Sequence, residues 1–303
     1  MSKDLSSIDL YSDDSKPLPE LLARDDVQAV IIALPIPNQP EYIKQALQAG
    51  KHVLAEKPIA KDVVTARELI QWYHSNVDTS KVFFGIAEQF RYFNSFVKGS
   101  QKVTELGKVL NFRVRMQTLI QEGSKYIETP WRKEPTYQGG FLLDGGVHFI
   151  AGMRLLLGKK SKLERVSAFT VQHQKFLPPI DTVDATFKLA GGGQGTLSLS
   201  FGSTGTGSEW AVACEGGEVF VDPFEKSTVT VKPKGEKEGK MEEVKDEHGG
   251  VKQEVFAWAK SIKAGKADPQ QSPEEALGDL EVLEAMVKSG ERDGIPVGLY
   301  YQV

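Results

Sequence analysis

Three side chains of this 303-residue chain combine residue type and context in a way that could do chemistry. Lys57 stands between Glu56 and Pro58, just after the short apolar run His52-Val-Leu-Ala55. Gly50 closes a helical pattern, the run reads as a buried strand, and Pro58 cannot extend a ladder. A lysine just past the carboxyl end of a parallel strand points into the crevice where open α/β sheets bind ligands, and an amine there can take or give a proton. Asp144 and His148 lie in Gly139-Gly-Phe-Leu-Leu-Asp144-Gly-Gly-Val-His148 and are four residues apart. On a helix they share a face, so the two side chains are expected to meet. A carboxylate beside an imidazole would orient the ring and favour its protonated form, as a general acid or base requires. The preceding glycines allow a backbone or a ligand to approach closely.

The elements that must position these groups fall into two grammars. The run Asp26 to Pro35 is continuously apolar from Val27 apart from Gln28, and reads as a strand buried on both faces. A helix opened at Pro40 and closed at Gly50, the strand at His52, a helix capped by Asp62, and the strand Lys81 to Ile86 then make two βαβ units. From about residue 108 the pattern alternates: Val109 to Met116, Arg165 to Gln172, Asp184 to Leu189, Thr196 to Phe201, Trp210 to Cys214, Glu218 to Val221 and Thr228 to Val231. Glycine turns at Gly191–Gly195 and Glu215–Gly217 suggest a meandering antiparallel sheet with helices on one face. Lys232 to Gly250 reads as a charged exposed loop, and Ser272-Pro-Glu-Glu275 as a capping box that starts a helix ended by Gly290. The expected fold is a partial Rossmann-type parallel sheet over residues 1–100, then an α+β domain with an open-faced, mainly antiparallel sheet over 101–303. The last helix is expected to pack back on the first domain.

A quarter of the residues are charged and the net charge is -4, without the basic face that nucleic acid or a membrane surface would select. A single cysteine, Cys214, excludes an internal disulfide framework, and the scattered histidines lack metal-ligand spacing, so no metal is expected. No run of about eighteen apolar residues is apparent, and the first ten residues are unlike a secretory or mitochondrial leader. A cytoplasmic location is the expectation, although a nuclear protein would have the same composition.

Glu56-Lys57-Pro58 after Ala49-Gly50-Lys51-His52-Val53, followed by Gly139-Gly140 and Asp144-x3-His148, resembles the Gfo/Idh/MocA oxidoreductases, which include glucose–fructose oxidoreductase and inositol dehydrogenase. Ala29 to Pro35, Glu88-Gln-Phe-Arg91-Tyr92, Trp131-Arg132, Asp181-Thr182 and the segment Ser272 to Gly294 fit the same pattern in order. The resemblance implies hydride transfer between NAD(P)(H), with NADP(H) favoured, and a small carbonyl or alcohol such as a sugar or polyol. It implies Lys57, His148 and Asp144 as catalytic residues. It places Leu34, Pro35, Asn38, Glu56, Lys57, Pro58, Glu88 and Arg132 at the cofactor, and Lys57, Trp131, Arg132, Asp144 and His148 at the substrate. A homodimer formed through the open sheet is also implied.

The chain departs from this pattern in its phosphate-binding fingerprint. No glycine cluster fits G-x-G-x-x-G at a strand–helix turn, and the acidic or basic residue that selects NAD or NADP is missing with it. We therefore expect Met1 to be an internal methionine of a longer product, with at least one strand–helix–strand unit of the Rossmann domain lacking. Gln39 and Ala151 stand where many relatives carry histidine and aspartate. The competing reading is a regulatory or binding protein that keeps the fold without turnover, or an inactive truncated product.

Overall fold

A computed structural model describes residues 8–245 and 248–303. After the short helix α1 (Leu18–Leu22), three strands, β1 (Ala29–Ile32), β2 (His52–Glu56) and β3 (Phe84–Ala87), form a parallel sheet in that order. Helices α2 (Gln39–Gln48) and α3 (Val63–Asn76) make the two crossovers. The central strand β2 and the strand β3 are buried apolar runs, as parallel strands covered on both faces should be. β1 departs from the expectation of burial on both faces: one face is open to solvent, and Ile31 on it is 60% exposed. Asp62 caps α3 by accepting from the Thr65 N–H at 2.7 Å, which satisfies one of the free donors of the first turn.

A short 3-10 turn (Gln89–Tyr92) and α4 (Asn94–Glu105) lead into the second sheet. Its strands are β4 (Val109–Gln117), β5 (Leu163–Val171), β6 (Thr182–Leu189), β7 (Gln194–Ser200), β8 (Gly207–Cys214), β9 (Gly217–Asp222), β10 (Thr228–Pro233), β11 (Lys240–Glu243) and β12 (Val297–Gly298). Their order is β11-β10-β9-β8-β4-β7-β6-β5-β12, and β4 pairs in parallel with β7. The sheet is thus mixed rather than a simple meander: β4 enters between β8 and β7 and separates two antiparallel runs. The expected loop from Lys232 to Gly250 contains β11, whose four residues are all exposed and so carry no apolar alternation; residues 246 and 247 lie outside the described residues. β6 alternates strictly, with Val183, Ala185, Phe187 and Leu189 buried and Asp184, Thr186 and Lys188 exposed. Its inner face is covered by helices.

Between β4 and β5 come α5 (Pro130–Lys133) and α6 (Gly140–Leu157), and the chain closes with α7 (Val251–Ala264) and α8 (Pro273–Gly290). With 18 residues of mean hydropathy 1.3, α6 is long and apolar enough to cross a membrane, contrary to the reading that no such run exists. It is 78% buried inside the protein, packed against α4, α8 and the second sheet, which accounts for its composition. α8 packs against α3 and β3 on one side and β5 and α6 on the other. Ser272 caps α8 through Glu275 N–H at 3.2 Å, but the reciprocal half of the capping box is absent: the Glu275 carboxylate pairs with Arg154 instead. Arg91, Arg154, Asp279 and Glu275 form a buried ionic cluster that ties the 3-10 turn, α6 and α8 together.

Candidate active site

Lys57, at the end of β2, reaches across the junction between the two sheets to α6. Its Nζ donates to the Asp144 carboxylate at 2.9 Å and to the Asp144 carbonyl at 2.8 Å. Arg132, on α5, donates through Nε to the other Asp144 oxygen at 2.7 Å and lies over the Trp131 ring, 4.1 Å from its centroid. Burial by itself would raise the Asp144 carboxyl, but the adjacent Lys57 and Arg132 cations outweigh it and hold the group below the usual carboxylate range. One buried carboxylate thereby fixes two cations whose outer ends remain partly open, with 13% and 25% side-chain exposure.

The expected meeting of Asp144 and His148 does not occur. Helical spacing puts them on one face, but each is claimed by a tertiary partner. His148 Nδ1 lies 2.7 Å from Glu88 Oε1, and its ring stacks on Phe90 at 4.9 Å. Glu88 also accepts from the Phe90 N–H at 3.1 Å, so the 3-10 turn fixes both the carboxylate and the ring against which the imidazole rests. Burial opposes the charge on Glu88, but His148 and Arg91 more than offset it and the carboxyl is held low. An ionised Glu88 requires a proton on Nδ1, which leaves Nε2 for a ligand; among the described residues Nε2 has no partner. Arg91 pairs with Asp279 rather than with Glu88.

The two glycines opening α6 have a geometric reason. Gly139 and Gly140 both have positive φ, and a Cβ on Gly140 would lie 2.1 Å from the Pro178 carbonyl oxygen. This close approach docks the start of α6, and Asp144 one turn later, on the loop before Asp181. Asp181 in turn accepts from the N–H groups of His173 and Gln174.

Gln39 is a contributor that sequence reasoning treated only as a departure from pattern. Fully buried at the start of α2, it donates through Nε2 to the Glu56 carbonyl at 3.0 Å and the Pro58 carbonyl at 3.3 Å, bracketing Lys57. Glu254 on α7 was missed altogether. Buried behind Glu88 and Glu56, its carboxyl is pushed up to about 8, first by burial and then by those two carboxylates. Burial likewise raises Glu56. Tyr137, also buried, lies close enough to feel Asp144 and Arg132, and its hydroxyl has no partner among the described residues.

The remaining cofactor candidates sit on the same rim. Leu34 and Asn38 are exposed and Pro35 is half-buried on the turn after β1, while Glu56 ends β2, Lys57 and Pro58 follow it, and Glu88 follows β3. This rim suits the nicotinamide end of a dinucleotide: an apolar lip, backbone groups at the carboxyl ends of parallel strands, and a cation beyond. No glycine-rich turn opening a helix is found at the sheet among the described residues, so no backbone cradle for the pyrophosphate is present there.

Comparison with known proteins gives two family matches in sequence. Residues 3–84 match the NAD-binding Rossmann-fold domain of the GFO_IDH_MocA oxidoreductase family, and residues 101–299 match its C-terminal alpha/beta domain. The chain belongs to the Gfo/Idh/MocA oxidoreductase family. It is 38% identical over 298 residues to the dehydrogenase FPY6 of Fusarium mangiferae, covering 95% of this chain and 83% of that protein. It is 24% identical over 279 residues to D-xylose 1-dehydrogenase (NADP(+)) 2 of Haloferax volcanii, covering 89% and 80% respectively. Among solved structures, an oxidoreductase from Thermotoga maritima superposes with a TM-score of 0.81 at 28% identity, covering 93% of this chain and 83% of that one. The fold is therefore that of an oxidoreductase with an NAD-binding Rossmann domain, as the sequence resemblance implied.

Proposed function

We propose that this protein is an NAD(P)(H)-dependent oxidoreductase in which Lys57 is the acid/base for a small carbonyl or alcohol, a sugar or polyol in particular. The observation that carries this reading is the Lys57–Asp144 pair at 2.9 Å, which holds an amine at a strand end facing the crevice between the domains. A bound nicotinamide supplies the hydride acceptor or donor. Lys57 gives the substrate oxygen its proton in reduction and removes it in oxidation. Asp144 keeps the amine in place and shares its charge with Arg132, whose outer face is left to bind a substrate hydroxyl or carboxylate. His148 Nε2 supplies a second polar contact for the substrate, and Trp131 gives an apolar wall under Arg132.

Family membership supports the reaction class, and the Haloferax relative's name supports a sugar and favours NADP(H) over NAD(H). Exposed Phe169, Val171 and Leu110 on the second sheet support a homodimer built through its open face. A second reading, a binding protein without turnover, rests on the lack of a glycine-rich cradle at the sheet among the described residues. Tryptophan-fluorescence titration with NADH and NADPH, followed by an aldose and ketose panel monitored at the nicotinamide absorbance, separates them. Cofactor binding with reduction of at least one sugar supports the enzyme. Binding with no turnover across the panel supports the second reading, and no binding of either dinucleotide overturns the enzyme reading for this chain.

A further inference from the structure

At the carboxyl end of α6, away from Lys57, a cavity of about 710 Å³ opens between α4, the β6–β7 turn and the start of α8. Arg154, near its wall, and Asp144 are ten residues apart on one helix, about 15 Å along its axis. The cavity is therefore separate from the candidate active site. Its floor is apolar, with Val103, Leu155 and Leu163 among the lining residues. Six cationic side chains surround that floor: Arg91, Lys108, Arg154, Lys159, Lys160 and Lys162. They face the carboxylates of Glu275 at the wall and Asp279 behind the arginines, and Val303, the last residue of the sequence, also lines the cavity. In a chain of net charge -4, this is a local reversal of sign.

The arginines are built in rather than laid on the surface. Arg91 is 3% exposed and gives Nη2 to Asp279, while its buried Nη1 has no hydrogen-bond partner. Arg154 is held by Asp279, the Glu275 carbonyl and Gln302. Buried polar groups are nearly always satisfied, so an unpartnered guanidinium donor at a cavity points to a missing acceptor. Among the described residues Lys108, Lys160 and Lys162 have no carboxylate partner either, whereas Lys159 reaches Glu275 at 3.4 Å. The volume falls within the range of small-molecule sites, which are mostly apolar with a few convergent polar groups.

We propose that this cavity binds a small phosphate ester with an apolar or aromatic body, the phosphate taken by Arg91 and the lysine rim and the body by the apolar floor. Paired guanidinium and ammonium donors suit a dianionic, multi-oxygen acceptor. Isothermal titration calorimetry on the full chain with 1-naphthyl phosphate, 1-naphthol and inorganic phosphate tests it. The ester is expected to bind at least about tenfold more tightly than either fragment, since both halves of the cavity contribute. The double variant Lys160→Glu/Lys162→Glu reverses two exposed charges on the turn after α6 and leaves the core untouched. It is expected to weaken the ester by about tenfold or more and to leave 1-naphthol unchanged. Lys57→Ala is expected to leave ester affinity unchanged, which separates this cavity from the dinucleotide crevice. No detectable binding of the ester, binding insensitive to the lysine reversals, or binding lost in Lys57→Ala would each overturn the assignment.

Discussion

Replacing Asp144 by asparagine removes one negative charge from between two cations while keeping the side-chain shape. Breaking a fully buried ion pair costs about 3–5 kcal/mol, because the remaining charge is left without compensation. Lys57 and Arg132 retain 13% and 25% side-chain exposure, so water relieves part of that, and about 2–3 kcal/mol is expected. For a chain of this size, that corresponds to a fall of about 1 M in the urea midpoint. The pH dependence follows from the same carboxyl. Its folded value is held below the usual range, so its stabilisation is complete above the unfolded value of about 4 and is lost as pH falls through the folded one. The gap between wild type and Asp144→Asn should stay constant from about pH 7 to 5 and close below about pH 4. Urea unfolding monitored by tryptophan fluorescence at several pH values reads both quantities. Turnover should fall by about a hundredfold because Lys57 loses its anchor. An unchanged midpoint, or a gap equally large at pH 3 and pH 7, would refute the claim that this carboxylate stabilises the junction.

Three other perturbations follow from the same geometry. Gln39→Leu removes the donor that brackets Lys57, and kcat should drop by about tenfold with the thermal midpoint lowered by only a few degrees; unchanged kcat would show that the bracket does not position the lysine. Gly140→Ala drives a Cβ against the Pro178 carbonyl at positive φ, so thermal unfolding should reveal a loss of about 2–4 kcal/mol, and wild-type stability would contradict the close approach. Glu254 has a folded value raised to about 8, so the folded state binds the extra proton and stability falls as pH rises from about 4.5 towards 8. In Glu254→Gln that slope should be lost, with the variant about 2 kcal/mol or more above wild type at pH 8 by urea unfolding; parallel pH profiles would remove the burial argument.

The parallel sheet was legible because each strand carries its own signal: His52 to Ala55 is apolar whatever its neighbours are, and a strand end places Lys57 without further information. The pairing of β4 with β7 was not, since an alternating strand specifies which face is buried and leaves its partner open. β11 escaped because all four of its residues are exposed, so the composition is that of a loop. The opening of α6 was readable from its glycines, yet the partners of Asp144 and His148 were not. The i,i+4 rule describes an isolated helix, and here Lys57, 87 residues away, and Glu88, 60 residues away, make the stronger contacts. Gln39 and Glu254 share that blindness. Their roles depend on carbonyls and carboxylates brought up by other elements, and no local pattern marks them.

The central claim is that Lys57 is the proton-transfer group of a nicotinamide-dependent reaction, and the most direct measurement is steady-state turnover of Lys57→Ala alongside its NADPH affinity by fluorescence titration. A general acid/base contributes about 10²–10⁴-fold, so kcat should fall by that factor while the dissociation constant for the cofactor changes by less than about threefold. Near-wild-type turnover in Lys57→Ala would contradict the account.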